Sequence, residues 1–482
     1  MDGFSWILLS PLKQEIFLAV VGMILLMIGA FRGNTSINFI MPAVIISLVV
    51  AIIGIFVGDW TAIDTLSGMI IVDGFSEWMK ILILSGLAVS LLLSVSWLRE
   101  NAMLKFEYPI LVLFSGIGMM LMVSSNNLLS LYMAIELSSL CLYVLAAINR
   151  DNLLSTEAGL KYFILGALSS GLLLFGISLV YGYTGTLSFA SISGFLETTK
   201  SMPYGVMVGM IFMLAGLAFK ISAVPFHMWT PDVYQGAPTP VTALFAIVPK
   251  VAALGLIIRL ITGPFELLAE EWTQIFIFIS VTSMILGAFA GLVQNNIKRL
   301  LAYSSIGNMG YAMLGLLPSV SAGVASVIIY VSIYMVMLAG VFGILMSVKR
   351  NGQSIENIPD FAGLSKSSPF LAYTLAALLF SMMGIPPLAG FFGKFFVFQA
   401  AVAGGFFVVA VVGVLTSVVG AYYYLRLIKV MFFDASAGEF DEDKSLSRHL
   451  VVVGSLAFII LFTVMPNQLL NQAMIAASSL FP

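Results

Sequence analysis

Residues 241–260 read VTALFAIVPKVAALGLIIRL. A helix needs about 20 mostly apolar residues to cross the hydrocarbon core of a bilayer, and this run has that length and character. Lys250 stands in its middle, with about ten residues on either side, too deep to reach a headgroup. An ionisable residue at that depth costs at least about 2.5–3.5 kcal/mol on insertion scales, so it needs a reason to be there.

Runs of the same kind recur on both sides of it, near 14–31, 38–57, 79–97, 107–125, 127–147, 159–183, 204–224, 273–293, 299–317, 322–347, 369–399, 404–432 and 449–466, with its own span at 240–262. The chain therefore reads as an all-α integral membrane protein of about fourteen transmembrane helices. Composition agrees: 60% of the 482 residues are hydrophobic and 9% charged, against roughly 25% charged in soluble domains. A net charge of −2 offers no basic face to nucleic acid. One cysteine, Cys141, and two histidines are too few for an iron–sulfur cluster or a structural zinc site. No nucleotide-binding glycine motif is present, so no cofactor is expected in the chain. The first residues lack the positive n-region and cleavage site of a removable signal.

Orientation follows from the basic residues, because cytoplasmic loops carry the excess. One set of loops holds Arg32, Arg99, Lys105, Arg150, Lys298, Arg299, Lys349, Arg350, Lys366, Arg426, Lys429, Lys444 and Arg448. The other holds Lys13, Lys80 and Lys200, with Arg259 near a helix end. This places both termini on the non-cytoplasmic side of a bacterial inner membrane, or outside the matrix in a mitochondrial inner membrane. The acidic stretch Asp434 to Arg448 reads as a solvated cytoplasmic loop.

Five ionisable residues fall within spans. Glu136 is central in NLLSLYMAIELSSLCLYVLAAI (127–148), as Lys250 is in its own span. Lys220 and Lys394 lie where two spans are interrupted, at LAGLAFKISAVPF (214–226) and PPLAGFFGK (386–394). Both contain Leu-Ala-Gly-x-x-x-Lys, a match that suggests an internal repeat with broken helices lining a cavity, unless short apolar strings coincide by chance. Lys161 is nearer a helix start and can equally snorkel to the interface. His227, in PFHMWTPDVYQGAPTP (225–240), reads first as a hydrogen-bonded loop anchor and second as a proton-entry group.

A buried Glu136 and a buried lysine form either a structural ion pair or a switch. Two unit charges 4 Å apart at an effective dielectric of about 20 interact by about 4 kcal/mol, which is about three pKa units on the lysine. Desolvation acts in the opposite sense. Such a lysine is charged with its acid near and neutral with it away, the behaviour of a proton relay, which arginine cannot supply.

The segments PFHMWTPDVYQGAPTPVTALFAIVPKVAALG (225–255), NNIKRLLAYSSIGNMGY (295–311) and MGIPPLAGFFGKF (383–395) together resemble the antiporter-like subunits of proton-pumping NADH:quinone oxidoreductase, respiratory complex I, and among them the N type. The resemblance covers most of the chain. M-type subunits usually carry Glu at the position of Lys394, and L-type subunits continue into a long lateral helix after their last span. It implies two inverted five-helix repeats, spans 4–8 and 9–13, each with a broken helix. The corresponding division is 1–105 for three N-terminal helices, 106–265 and 266–433 for the repeats, and 434–482 for a loop and last helix. It further implies that Glu136 and Lys220 form a paired switch, that Lys250 is the central relay, and that Lys394 serves the second half-channel, with Lys161 a further family position. On this resemblance NADH, FMN, iron–sulfur clusters and quinone belong to partner subunits. M-type and K-type subunits of the membrane arm, lipid, protons and water are the expected partners. The two rival readings are a subunit of a multisubunit sodium/proton antiporter, which shares the fold, and a passive membrane scaffold.

Overall fold

The computed structural model describes residues 6–58, 60–199, 203–436 and 438–481. Lys200, counted above for orientation, lies outside the described residues. The chain begins with α1 (Lys13–Arg32), α2 (Ile37–Phe56) and α3 (Gly74–Glu100), with a short antiparallel hairpin, β1 (Ile63–Thr65) and β2 (Ile70–Val72), before α3. Then come α4 (Glu107–Ser124), α5 (Leu128–Ala146), α6 (Leu153–Thr184), α7 (Phe189–Thr198), α8 (Tyr204–Lys220), α9 (Trp229–Gly236), α10 (Thr239–Ile247) and α11 (Pro249–Thr262). The rest comprises α12 (Ala269–Leu292), α13 (Ile297–Leu314), α14 (Ser321–Ser347), hairpin β3 (Lys349–Arg350) and β4 (Gln353–Ser354), α15 (Leu364–Ser367), α16 (Pro369–Met383), α17 (Ala389–Ala403), α18 (Phe407–Phe433), α19 (Leu446–Val464) and α20 (Asn467–Ser478).

Among the described residues, ten helical stretches are long and apolar enough to cross a membrane, one of them, Leu9–Phe56, holding both α1 and α2. Tyr204–Lys220, Pro369–Met383 and Ala389–Ala403 are apolar but shorter. The most apolar stretches of Thr239–Thr262 and Ser321–Ser347 are 94% buried, whereas that of α6 is 39% buried. The α10–α11 pair and α14 therefore form the centre of the molecule, and α6 presents a face to its surroundings.

The sequence places the ends of these helices. Asn127, Asn152 and Asn296 accept backbone N–H groups at the starts of α5, α6 and α13, and Asp73 forms a capping box with Ser76 at the start of α3. Gly185, at φ +70°, ends α6 in the left-handed region.

Several expectations are corrected here. The span at 240–262 is two helices, because Pro249 has no N–H to donate to the preceding turn. Lys250 is thus the second residue of α11 and not mid-helix. The two interruptions expected from the sequence are present: the span at 204–224 ends at Lys220, before Pro225, and 369–399 is split between α16 and α17 around Pro386 and Pro387. The two Leu-Ala-Gly-x-x-x-Lys strings consequently sit on opposite sides of their breaks and are not equivalent positions. The helix α20 follows the last expected span.

The loop after α18 is not merely solvated. Asp443 and Arg448 are ion-paired at 2.5 Å with side chains only 3% and 2% exposed, and Arg448 also meets Glu100 at 2.6 Å. Asp441 accepts the N–H groups of Asn351 and Gly352 in the β3–β4 turn. Lys80, taken above as a loop charge, is wholly buried. Arg259 is buried too, holding Asp73 through both Nη1 and Nη2 at 2.9 and 2.8 Å.

Candidate functional site

Three lysines share one kind of environment. Lys250 is 3% exposed, its Nζ bonds the Ser305 hydroxyl of α13, and it lies 5.5 Å from the centroid of the Tyr234 ring. Lys394, 8% exposed, donates to the Met383 carbonyl at 3.0 Å and the Ser417 hydroxyl at 2.8 Å, 4.9 Å from the Tyr311 ring centroid. Lys220, at the end of α8, donates to Ser139 at 2.7 Å and Tyr143 at 3.4 Å. Among the described residues none of the three has a carboxylate within ion-pair distance.

Polar side chains fill the space between Lys250 and Lys394. Ser304 is next to Ser305 and meets the Tyr424 hydroxyl. Asn308 Nδ2 donates to the Ser304 carbonyl at 2.8 Å, and Tyr330 donates to Asn308 Oδ1 at 2.6 Å. Tyr311 donates to Thr416 at 3.4 Å, beside the Ser417 that receives Lys394. Ser304, Asn308 and Tyr311 recur at the spacing of one helix face, which is how α13 presents them together. The hydroxyls of Tyr234 and Tyr334 are buried, and both approach the Ser305 hydroxyl that receives Lys250.

Glu136 does not touch Lys220 in this structure. Ser139, one turn along α5, occupies the lysine, while Glu136 Oε1 is buried without a hydrogen-bond partner among the described residues. The carboxylate is still near enough to act electrostatically on Lys220. Lys161 lies outside the buried row: its side chain is 41% exposed and paired with Glu157 at 2.8 Å and Asp232 at 2.7 Å. Asp232 also meets Arg299 at 2.6 Å, tying α6, α9 and α13 together. His227 lies in the turn after α8, its Nδ1 buried with no hydrogen-bond partner among the described residues.

Sequence reasoning missed Asp232, Lys298 and the hydroxyl chain. Lys298, counted as a loop charge, is 4% exposed and bonded to the Ala237 carbonyl and Glu356 at 3.1 and 2.7 Å. It lines a polar cavity of about 450 Å³ with Gln235, Thr239 and Asn152. The signal available for the hydroxyl chain was the periodic Ser304, Asn308 and Tyr311 within an apolar helix.

With this geometry in hand, relatives are informative. The family described as NADH:quinone oxidoreductase/Mrp antiporter, TM, matches residues 125–420. NADH-quinone oxidoreductase subunit N of Rhodospirillum rubrum is 49% identical over 479 residues, 99% of this chain and 98% of the relative. A chain of respiratory complex I from Thermus thermophilus superposes with a TM-score of 0.80 at 31% identity, covering 95% of this chain and 98% of that one. A chain of the Mrp complex from Dietzia sp. superposes with a TM-score of 0.83 over 97% of each chain, at 20% identity. That last likeness is one of fold.

Proposed function

This chain belongs to the NADH:quinone oxidoreductase/Mrp antiporter family, and within it to the N subunits of NADH-quinone oxidoreductase; from that premise we propose that it carries protons across the membrane through Lys220, Lys250 and Lys394, driven by electron transfer in neighbouring subunits. The observation that carries the reading is that all three lysines are held by hydroxyl and carbonyl oxygens with no fixed counter-charge. A lysine so placed can release its proton without stranding a buried carboxylate, and neighbouring hydroxyls can both give and take one. Glu136 acts on Lys220 across Ser139, and His227 stands near the same break as a further candidate. Lys161, with Asp232, sits at the rim.

The full-length identity to N subunits favours this over a sodium/proton antiporter subunit, since the Mrp likeness extends to fold alone. NADH, FMN, iron–sulfur clusters and quinone would reside in partner subunits, the M-type and K-type membrane subunits flanking this chain. The helices pair with fourteen spans when α8–α9, α10–α11 and α16–α17 each count once, both termini facing the non-cytoplasmic side of the inner membrane.

Two inverted repeats, 106–265 and 266–433, are supported by matching features at one constant offset. Asn127 pairs with Ser188 as Asn296 pairs with Asn357. A Cβ on Gly118 would meet the Ser138 nitrogen at 2.6 Å, and one on Gly287 would meet the Gly307 nitrogen at 2.6 Å. The same register sets Glu136 on Ser305 and Ser139 on Asn308. As the fifth and tenth spans, α5 and α13 run in opposite directions, as inversion requires.

Lys250 tests the reading. Arginine keeps the charge but does not deprotonate, so Lys250→Arg is expected to assemble yet lose most proton pumping. Lys250→Met should be at least as impaired, and Lys250→His, which titrates near neutrality, should retain more than either. Proton uptake by inverted vesicles, measured with NADH oxidation and assembled complex, reads the outcome. Near-normal pumping by Lys250→Arg would remove the relay role, and near-normal pumping by Lys250→Met would favour a passive scaffold.

A further inference from the structure

A second buried cluster of ionisable groups lies outside the region matched by the family, between α1 and α3. Lys80 Nζ is 2.8 Å from Glu15 and 3.2 Å from Glu77, with side-chain exposures of 0%, 5% and 7% respectively. The second oxygen of Glu15, Oε2, is buried with no hydrogen-bond partner among the described residues.

Charge at this site does not balance if all three groups ionise, because two carboxylates face one ammonium. A net charge closed off from water is costly, and a buried group neutralises itself when it can. Neighbouring elements supply one cation that acts on Glu77, Lys13, and it is not buried with the cluster. Lys13 is exposed at the start of α1, where water and salt screen it. Asp73 is engaged by Arg259. Asp64 of β1 is exposed, and α2, α10 and α20 contain no ionisable side chain. Tyr330 and Tyr334 of α14 and Lys250 of α11 belong to the lysine row. Glu107 and Tyr108 of α4 and Arg448 and His449 of α19 lie toward the opposite end of α3, where Arg448 meets Glu100.

We propose that Glu15, Glu77 and Lys80 form a proton-binding site, in which the two carboxyl groups share one proton taken from solvent and the cluster is neutral as a whole. The bond formed is O–H on one carboxyl oxygen; Lys80 keeps its proton and pairs with the other carboxylate. The site does not depend on the lysine row, yet the helix that carries it packs against the row: further along α3, a Cβ on Gly86 would lie 2.8 Å from the Val248 side chain, at the break just before Lys250.

The test is the infrared carbonyl stretch of protonated carboxyl groups, recorded on the purified complex containing this chain at neutral pH and compared between variants. Glu15→Gln and Glu77→Gln each leave one carboxylate with one ammonium, so each should assemble and each should lose the same single-carboxyl band. Lys80→Met leaves two carboxyls with no cation and should keep or increase it, and Glu77→Asp should keep it. Labelling by dicyclohexylcarbodiimide, mapped by peptide mass spectrometry, is expected on Glu15 or Glu77 but not on both in one chain. A protonated-carboxyl band unchanged in both glutamine variants would overturn the proposal, as would labelling of the remaining glutamate, in either variant, as strong as the total labelling of the pair in the wild type. Those results would leave the role of Lys250 untouched, since pumping is not what this experiment reads.

Discussion

Lys220, Lys250 and Lys394 meet hydroxyl and carbonyl oxygens, whereas Lys80, Lys161, Lys298 and Lys349 meet carboxylates at 2.5 to 2.8 Å. A carboxylate at that distance fixes the charge of its lysine, and a hydroxyl does not. That difference separates the lysines locked in ion pairs from the three proposed to carry protons, and only part of it was legible in the sequence. An apolar run on either side exposes a buried lysine at once, but its partner stands on a helix remote in the chain, so Lys298 passed for a loop residue and Ser139 drew no reading. Glu136 is legible for the same reason as Lys250. Its substitution Glu136→Gln removes the charge that acts on Lys220 and is expected to cut proton uptake strongly, while Glu136→Asp spares some. Unaltered uptake by Glu136→Gln would end its role. Asn308→Leu removes the group that joins Tyr330 to Ser304. NADH oxidation and assembly should survive while protons taken up per NADH fall; an unchanged ratio would mean that protons do not pass through Asn308.

Breaks and close crossings distinguish the helices here more than length does. Prolines announced all three breaks, at Pro225, Pro249 and Pro386–Pro387, yet the sequence reading used only two, because Pro249 sits in a run apolar enough to pass for one helix. The matching Leu-Ala-Gly-x-x-x-Lys strings were the visible hint of repetition and were misplaced, since local composition does not reveal on which side of a break a residue falls. Small residues at helix crossings carry the register better: α4 meets α5 at Gly118, and α12 meets α13 at Gly287, the close backbone approach that substitutes for hydrophobic driving force inside lipid. Gly287→Leu would force a side chain into the Gly307 backbone, where no rotamer change makes room. A loss of about 1–3 kcal/mol, the usual cost of overpacking, should appear as a lower thermal transition of the solubilised complex and less assembled subunit. A variant with unchanged transition and yield would show that the two helices are free to separate.

At the scale of the whole molecule, α3 connects two ends of different character. One end holds the Asp73–Arg259 pair, the start of α1 and the end of α20, where the N–H of Phe75 donates to Ser479. The other holds Glu100, Lys349, Asp443 and Arg448. The loop tally loses Lys80, Arg259, Lys298 and Arg448 to burial, and the orientation it suggests stands as a proposal. Burial pushes the Asp73 carboxyl up, but the charge and hydrogen bonds of Arg259, with the Ser76 N–H, outweigh it and hold the group below its ordinary range. A depressed carboxyl contributes its full stability above the unfolded-state value near pH 4 and loses it as pH falls below that. Asp73→Asn strands a buried guanidinium, expected to cost about 3–5 kcal/mol, and should flatten the acid limb of a thermal-unfolding pH profile; a variant as acid-sensitive as the wild type would deny Asp73 that part. The two ends also make a topological claim. Gln468 in α20 and Glu439 in the loop after α18 are both exposed, and the native Cys141 is buried, so cysteines introduced at these positions report without background. In sealed inverted vesicles a membrane-impermeant maleimide should label Glu439→Cys from outside and Gln468→Cys only after the membrane is opened. Labelling of both from the same side would mean that α19 does not cross the membrane, and the even count of spans would fall.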